Sequence, residues 1–450
     1  MAGRRVTVVG LGRSGLAACR LLASAGATVT ASDRSQAEAL AVDLESLRAL
    51  GVRVEAGAHR PETILEAELL VVSPGVDVRI PLLARARALG IPILSEVELA
   101  YRSCQACFLG VTGTNGKSTT TTLVGLMLER AGVPVIVAGN IGTALCDVVP
   151  GLGRDRWVVA ELSSFQLETI ETFRAEVACL LNITQNHLDR YVGLPDYMDA
   201  KARLFLNQEP GDWAVLNADD PLVLEAAASA RARSVFFSRC HPVDEGAYLE
   251  GDRLLLCRAG ETREICRVGD IRIRGVHNLE NALAAIAAST LAGGSCEAAR
   301  GVLAGFPGLP HRLEPVAVLG GIQFVNDSKG TSVGAVVRSL ESFPGPVILI
   351  AGGRDKGSDF TPLRPVMEGR VKALVLIGEA REKIARALTG AAPVHTAESM
   401  EEAVRRATAL AAPGDVVLLS PACASFDMFR DYEDRGRAIK AAVRGLGGGR

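Results

Sequence analysis

No apolar run in this 450-residue chain reaches the roughly 18 residues needed to cross a bilayer, so no membrane span is expected. An excess of one charge is missing too. Forty-nine Lys and Arg stand against 51 Asp and Glu, a net charge of −2, which gives no support to wholesale nucleic-acid binding or to a cationic membrane face. The opening Met-Ala-Gly-Arg-Arg leads straight into a strand-like V-T-V-V-G rather than an apolar core with a cleavage site, so no secretory leader is expected. Short-period repeats and low-complexity stretches are lacking, and only the tail from Gly445 to Arg450 reads as disordered. The ten cysteines are scattered and mostly embedded in apolar segments, as Cys19 and Cys179 are. That pattern predicts buried free thiols in a reducing cytoplasm. The single C-x-x-C, Cys104 and Cys107, has no second pair or histidines at ligand spacing, and a structural role is the better reading.

What is present points to several α/β domains. Hydrophobic residues make up 48% of the chain, and a chain of this length divides into about three domains of ordinary size. Strand-length apolar runs alternate with helix-length amphipathic stretches, the signature of parallel sheets covered by helices. Three blocks follow, with boundaries expected at 1–97, 98–308 and 309–450. The first holds the strand V-T-V-V-G, the turn Gly10-x-Gly12-x-x-Gly15 and a second strand ending in Asp33. Taken alone this dinucleotide fingerprint suggests an NAD enzyme, and a domain binding another nucleotide-bearing ligand fits it equally. The second block opens at Phe108 and closes with a helix over about 279–291 and a short helix before the linker F-P-G-L-P at 306–310. The third restarts the α/β pattern at Gly321.

The stretch G-V-T-G-T-N-G-K-S-T at 110–119 is the strongest chemical signal. Gly110, Gly113 and Gly116 let the backbone curl so that N–H groups point at phosphate oxygens. Lys117 supplies a charge for the β- and γ-phosphates, and the Ser118 hydroxyl can ligate Mg²⁺. The strict phosphate-loop pattern wants glycine where Val111 stands. Glu161, closing a strand one unit later, is a candidate metal ligand at the sheet edge where α/β ligands bind. His187, just past another strand, is a candidate ligand or base. Later come His311-Arg312, N-D-S-K-G-T at 326–331, G-G-R-D-K-G-S-D at 352–359 and S-P-A-C-A-S-F-D at 420–427, each at a strand end. Arg312, Lys329 and Lys356 can stabilise phosphate or carboxylate charge, although each taken singly reads as well as a solvated surface charge.

Together these segments resemble the Mur ligase family of bacterial cell-wall synthesis over essentially the whole chain. The family's G-T-N-G-K-[ST]-T stands at 113–119, with E-L-S-S-F-Q-L at 161–167, N-H-L-D-R-Y at 186–191, D-Y-M-D-A-K-A-R-L-F at 196–205, H-N-L-E-N at 277–281, His311-Arg312 and N-D-S-K at 326–329. Val111 then belongs to the pattern rather than departing from it. The resemblance implies an α/β protein of three domains: N-terminal Rossmann-like, central P-loop ATPase-type and C-terminal Rossmann-like. The first domain is expected to hold a UDP-sugar substrate rather than NAD.

Within the family, the V-S-P-G segment at 72–75 and the C-terminal motifs imply D-glutamate addition to UDP-N-acetylmuramoyl-L-alanine, with ATP and two Mg²⁺ ions. Arg13, Ser14, Asp33, Arg34, Ser73 and Gly75 are expected around the uracil and ribose, with Asn140 and His187 meeting the substrate from the central domain. Gly113, Thr114, Asn115, Gly116, Lys117, Ser118, Thr119, Thr120, Asn278, Asn281, Arg312 and Asp327 are expected on ATP. The implied metal ligands are Ser118, Glu161, His187 and a carbamylated Lys201. The implied catalytic set is Lys117, His187, Lys201, Arg312 and Lys329. Thr331, Lys356, Ser425 and Tyr432 are expected on D-glutamate. A monomer in the cytoplasm, with neither nucleic acid nor membrane insertion, completes the expectation.

Overall fold

Strands in this molecule are short apolar runs that end at glycine, serine or a carboxylate, and they assemble into three sheets. The structure is a computed structural model that describes residues 1–40, 44–186, 190–273, 275–343, 345–355 and 357–447. Those residues form two compact units, one of Met1–Ile271 with Leu279–Gly305 and one of Arg272–Asn278 with Phe306–Arg450.

The first unit contains two sheets. β1 (Arg5–Val9), β2 (Thr28–Asp33), β3 (Arg53–Ala56), β4 (Leu69–Val72) and β5 (Ile93–Ser95) pair in the order β3-β2-β1-β4-β5, all parallel. The strand order reverses between β1 and β4, and a doubly wound sheet opens its ligand crevice at the carboxyl ends of such strands. The turn after β1 and the Ser73 segment after β4 meet there: Ser73 Oγ donates to the Gly10 carbonyl at 2.7 Å. At Gly15 a Cβ would lie 2.0 Å from that same carbonyl oxygen, so only glycine lets the Arg13–Ser24 helix start so close to β1.

The second sheet runs through β6 (Cys107–Thr112), β7 (Val135–Gly139), β8 (Trp157–Glu161), β9 (Val177–Leu180), β10 (Trp213–Asn217), β11 (Arg233–Ser238), β12 (Gly246–Glu250), β13 (Arg253–Arg258) and β14 (Glu261–Arg267), in the order β14-β13-β12-β11-β10-β9-β6-β8-β7. β6 lies between β8 and β9, so the loop after it is flanked by the ends of both. Strands β12 to β14 form an antiparallel meander that alternation reasoning passed over. Its tight turn at Ala259-Gly260, with φ of 52° and 81°, is the readable signal, because two consecutive left-handed residues suit a two-residue hairpin.

In the second unit, β15 (Glu314–Leu319), β16 (Ile322–Asn326), β17 (Val347–Gly352), β18 (Val371–Ile377), β19 (Val394–Thr396) and β20 (Val416–Leu419) take the order β15-β16-β20-β17-β18-β19. Only the β15–β16 pair is antiparallel. β17 is buried along its whole length, with Val347, Leu349 and Ala351 in one core and Ile348 and Ile350 in the other. A strand covered on both faces reads as a continuous apolar run for this reason. The closing Tyr432–Gly447 helix continues through Gly445 to Gly447, which corrects the expectation of disorder for that part of the tail; 448–450 lie outside the described residues.

Candidate active site

The loop after β6 is shaped by two glycines with left-handed or extended positive φ. Gly113 has φ 152° and Gly116 has φ 84°, and Gly116 caps the Lys117–Arg130 helix. A Cβ on Gly116 would fall 2.1 Å from Asn281 Oδ1, and one on Gly113 would fall 2.9 Å from Leu181 Cβ. The loop is held from the β9 side, where the Thr114 amide donates to the Asn182 carbonyl at 2.9 Å and the Asn115 amide to Asn182 Oδ1 at 2.9 Å. Lys117 Nζ donates to the Gly113 and Thr114 carbonyls at 2.9 and 3.0 Å, folded back over the loop. Ser118, Thr119 and Thr120 are buried in the first helical turn, and Thr120 Oγ1 donates to Asn281 Oδ1 at 3.3 Å. This helix N-terminus, with its aligned amides and a lysine, is an anion-binding arrangement.

Beside it stand Glu161 and Lys201. Glu161 is buried at the end of β8; its Oε1 accepts from Asn140 Nδ2 at 2.7 Å, while its Oε2 has no partner among the described residues. An unsatisfied buried carboxylate oxygen costs free energy that a cation removes. It therefore fits a Mg²⁺ ligand. Lys201, on the Leu194–Ala202 helix, is 1% exposed. Its Nζ donates to the Gly113 carbonyl at 2.9 Å and lies 4.6 Å from the centre of the Tyr197 ring, one helical turn earlier. Burial first, and the Lys117 charge second, hold its pKa well below the usual lysine range, with Glu161 opposing. His187 lies outside the described residues. Among the described residues no group of three or more His, Cys, Asp and Glu forms a metal cluster.

The expected UDP-substrate residues of the first sheet gather at its switch point. Asp33 spends both carboxylate oxygens on backbone, accepting from the Leu11 amide at 2.7 Å and the Ser35 amide at 2.8 Å, which keeps the glycine turn closed. Arg13 reaches the Asn140 carbonyl at 3.1 Å, so a residue of the first sheet's turn touches the segment that orients Glu161. Ser14 sits in the same helix start, and Arg34 and Gly75 flank Asp33 and Ser73 in sequence. Cys104 and Cys107 direct their thiols to the Tyr101 and Arg154 carbonyls, and all ten cysteines are free.

The second unit carries the other candidates. Asp327 is buried, and its Oδ2 accepts from Ser339 Oγ and Ser420 Oγ at 2.7 Å each. Burial raises its pKa against the pull of those hydroxyls and of Arg312. Lys329 Nζ lies 5.0 Å from the Tyr432 ring centre, and the Thr331 amide donates to the Lys329 carbonyl at 2.9 Å. The Ser425 side chain is buried and has no hydrogen-bond partner among the described residues. Tyr432 enters by its backbone, its carbonyl accepting from Ser328 Oγ at 2.7 Å, while its hydroxyl turns to Glu433 at 3.0 Å. Lys356 lies outside the described residues. His311 is structural: its ring packs where a Cβ on Gly436 would be 2.0 Å away, and Asn326 bonds its Nδ1 at 3.0 Å. The expected ATP residues divide between the units, the loop and Asn281 in the first, Asn278, Arg312 and Asp327 in the second.

Comparison with known proteins fits this arrangement. The Mur ligase MurD-like N-terminal domain matches residues 4–95, the Mur ligase middle domain 111–289 and the Mur ligase glutamate ligase domain 311–423. A UDP-N-acetylmuramoylalanine--D-glutamate ligase of Acidobacterium capsulatum is 48% identical over 98% of this chain and 96% of its own length. The chain belongs to the Mur ligase family. A relative of the same printed name from a Geobacter species is 46% identical, covering 98% of this chain and 97% of its own. Among solved structures, a MurF ligase from Thermotoga maritima in complex with ADP aligns with a TM-score of 0.62 at 16% identity, over 99% of this chain and 96% of that one. At that identity the likeness speaks for the three-domain α/β fold alone. As a Mur ligase, the chain is an ATP-dependent ligase.

Two arginines were not among the sequence candidates. Arg190 pairs with Glu168, donates to the Pro74 carbonyl at 3.0 Å and lies 4.2 Å from the Phe165 ring centre. It thereby braces the Ser73–Gly75 segment. Its place within N-H-L-D-R-Y was the available signal. Arg435, buried in the last helix, had no such signal, because the residues it binds are 11, 12 and 107 positions away.

Proposed function

We propose that this Mur ligase joins D-glutamate to UDP-N-acetylmuramoyl-L-alanine while cleaving ATP to ADP and phosphate, a step of peptidoglycan precursor synthesis. Relatives sharing nearly half its residues over the full length carry that activity in their names. The observation that carries the chemistry is the buried Lys201 amine at the rim of the phosphate loop, beside an unpartnered Glu161 oxygen. A plain nucleotide-binding module has no use for that pair.

The work divides among domains at 1–97 for the UDP-substrate, 98–308 for ATP and 309–450 for the amino acid. Arg13, Ser14, Asp33, Arg34, Ser73 and Gly75 hold the uridine end, and Asn140 the muramoyl end. The 113–119 loop amides and Lys117 hold the β- and γ-phosphates, and Asn278, Asn281 and Asp327 the adenosine. Ser118, Glu161, His187 and carbamylated Lys201 would ligate two Mg²⁺ ions, which neutralise phosphate charge when bound. Lys201 is suited to its modification: burial lowers its pKa and so favours the neutral amine, whose lone pair adds to CO₂ while the nitrogen sheds a proton, turning a group that repels cations into an anionic oxygen donor. The L-alanyl carboxylate attacks the γ-phosphorus and releases ADP. The D-glutamate amine then attacks the acyl carbon, losing a proton as phosphate departs. Lys117, Lys329 and Arg312 offset the charge that builds as one anion meets another. Thr331, Lys356, Ser425 and Tyr432 seat the two acceptor carboxylates. The enzyme acts as a monomer in the cytoplasm, where its nucleotide substrates are.

The test is phosphate release from ATP and UDP-N-acetylmuramoyl-L-alanine with a panel of D- and L-amino acids. Release with D-glutamate alone is expected. Release that ignores the amino acid, or that needs a different one, overturns the reading.

A further inference from the structure

The reaction proposed above makes no use of Arg435, although it is among the most completely buried large side chains of the chain, 1% exposed. Its guanidinium makes four hydrogen bonds: Nε to Ser328 Oγ at 3.0 Å, Nη2 to the Ser328 carbonyl at 2.9 Å, and Nη1 to the Cys423 and Ala424 carbonyls at 3.1 and 3.2 Å. All four acceptors are neutral. No carboxylate lies within ion-pair distance of it among the described residues. Asp327 is turned to Ser339 and Ser420, and Asp427 gives one oxygen to the Glu379 amide, so both act on the guanidinium only through space, as modest opposing charges. Burial lowers the Arg435 pKa to about 10, so the group is still charged at neutral pH.

Two features give this cation a purpose. The segments it joins are those of the acceptor candidates: Ser328 immediately precedes Lys329, and Cys423 and Ala424 immediately precede Ser425. The packing around it is tight as well. A Cβ on Gly353 would fall 3.1 Å from Nη1 and 2.2 Å from the Ala424 carbonyl, and Arg354 pairs with Ala424 in an isolated bridge. A buried charge with no carboxylate bonded to it is costly, and neutral dipoles and more distant carboxylates offset only part of that cost. An anion taken up at the adjoining site offsets more, and does so best when it brings extra negative charge.

We infer that Arg435 is the positioning residue of the acceptor site, fixing the 327–331 and 422–425 segments against each other and supplying from the interior the positive charge that favours an amino acid with a second carboxylate. The inference rests on the D-glutamate reading and adds the residue that enforces its charge selectivity. Arginine is required because a lysine, as a point donor, cannot span four oxygens on two segments.

The experiment compares Arg435→Met and Arg435→Lys with the wild-type full chain, measuring KM for each substrate and the kcat/KM ratio of D-glutamate to D-glutamine, which differ by one charge. In Arg435→Met, KM for D-glutamate rises by about tenfold or more and the D-glutamate preference falls by about tenfold, while KM for the UDP-substrate stays within about twofold. Arg435→Lys keeps most of the preference but still raises KM for D-glutamate. Methylguanidinium added to Arg435→Ala restores part of the D-glutamate KM. An unchanged preference in Arg435→Met, or an equal loss for all three substrates, overturns the inference. Should Arg435→Met fail to fold, Arg435→Lys decides: an unchanged D-glutamate KM overturns the positioning role, and a lost preference overturns the charge role. A wild-type enzyme inactive with D-glutamate defeats the functional reading instead, so the two failures are told apart.

Discussion

Lys201 in the first unit and Arg435 in the second are buried to the same degree, each 1% exposed, and they meet that burial in opposite ways. Lys201 has one carbonyl acceptor and an aromatic face, and a second lysine nearby adds repulsion, so its pKa is driven well below the usual lysine range. Arg435 has four oxygen acceptors arranged around a planar fork and keeps its charge. Burial alone therefore does not set protonation. The intrinsic basicity of the group and the sign of the charges around it decide whether a cation survives in a low-dielectric interior. An amine that has lost its proton is free to react with CO₂, whereas a guanidinium that has kept its proton is a fixed scaffold with a permanent field.

Four measurements break or sharpen that contrast. The largest effect is expected for Lys201→Ala, which lowers ligase turnover by about 1000-fold, with partial recovery in bicarbonate or small carboxylic acids. Full activity in that variant removes the carbamate from the mechanism. Lys201→Arg sharpens the point, since a permanent cation in the same place is expected to be equally inactive and not rescued. Lys117→Ala is expected to cut phosphate release by about 100-fold, while calorimetry finds UDP-substrate affinity nearly unchanged; equal loss of both argues against separate seats for the two ligands. Gly116→Ala places a Cβ 2.1 Å from Asn281 Oδ1 at a φ of 84°. It is expected to raise KM for ATP by about tenfold, and an unaltered KM shows that the loop has another shape when ATP is bound.

The smallest effect concerns His277, a third basic group, partly buried. Burial first, then Arg338 and Arg312, lower its pKa from 6.5 to about 4. The folded state thus prefers the neutral ring, and between those two values the unfolded chain binds more protons. Stability is fully present above pH 6.5 and falls as pH drops toward 4, by on the order of 1–3 kcal/mol. His277→Gln is expected to flatten that part of the acid-denaturation profile; an unchanged slope there means the ring is protonated in the native state.

The phosphate loop, Glu161 and the glycine turn were legible because local residue order causes their geometry. A loop between a strand and a helix needs glycine at Gly113 and Gly116 wherever the rest of the fold lies. Lys201 and Tyr197 were close to legible, since residues four apart on one helix share a face. The β12–β14 meander was overlooked because alternation with helices dominated the reading, although Ala259-Gly260 marked a tight turn. The helical end of the tail at 445–447 was missed because glycine-rich composition outweighed the packing of the helix in front of it.

By itself the sequence determined the alternating α/β pattern, the three chemical loops and the order in which they occur, all of which depend on contacts within a few residues. Tertiary structure alone decided the electrical state of the interior. The Lys201 pKa is pushed well below the usual lysine range by the dry packing around it and by Lys117, 84 residues away. Arg435 stays charged because burial lowers its pKa only to about 10, with Asp427 and Asp327 opposing, and Ser328, 107 residues earlier, and two carbonyls of the 423–424 turn hold it in place. A side chain's charge follows from what surrounds it in space, and chain order does not report that.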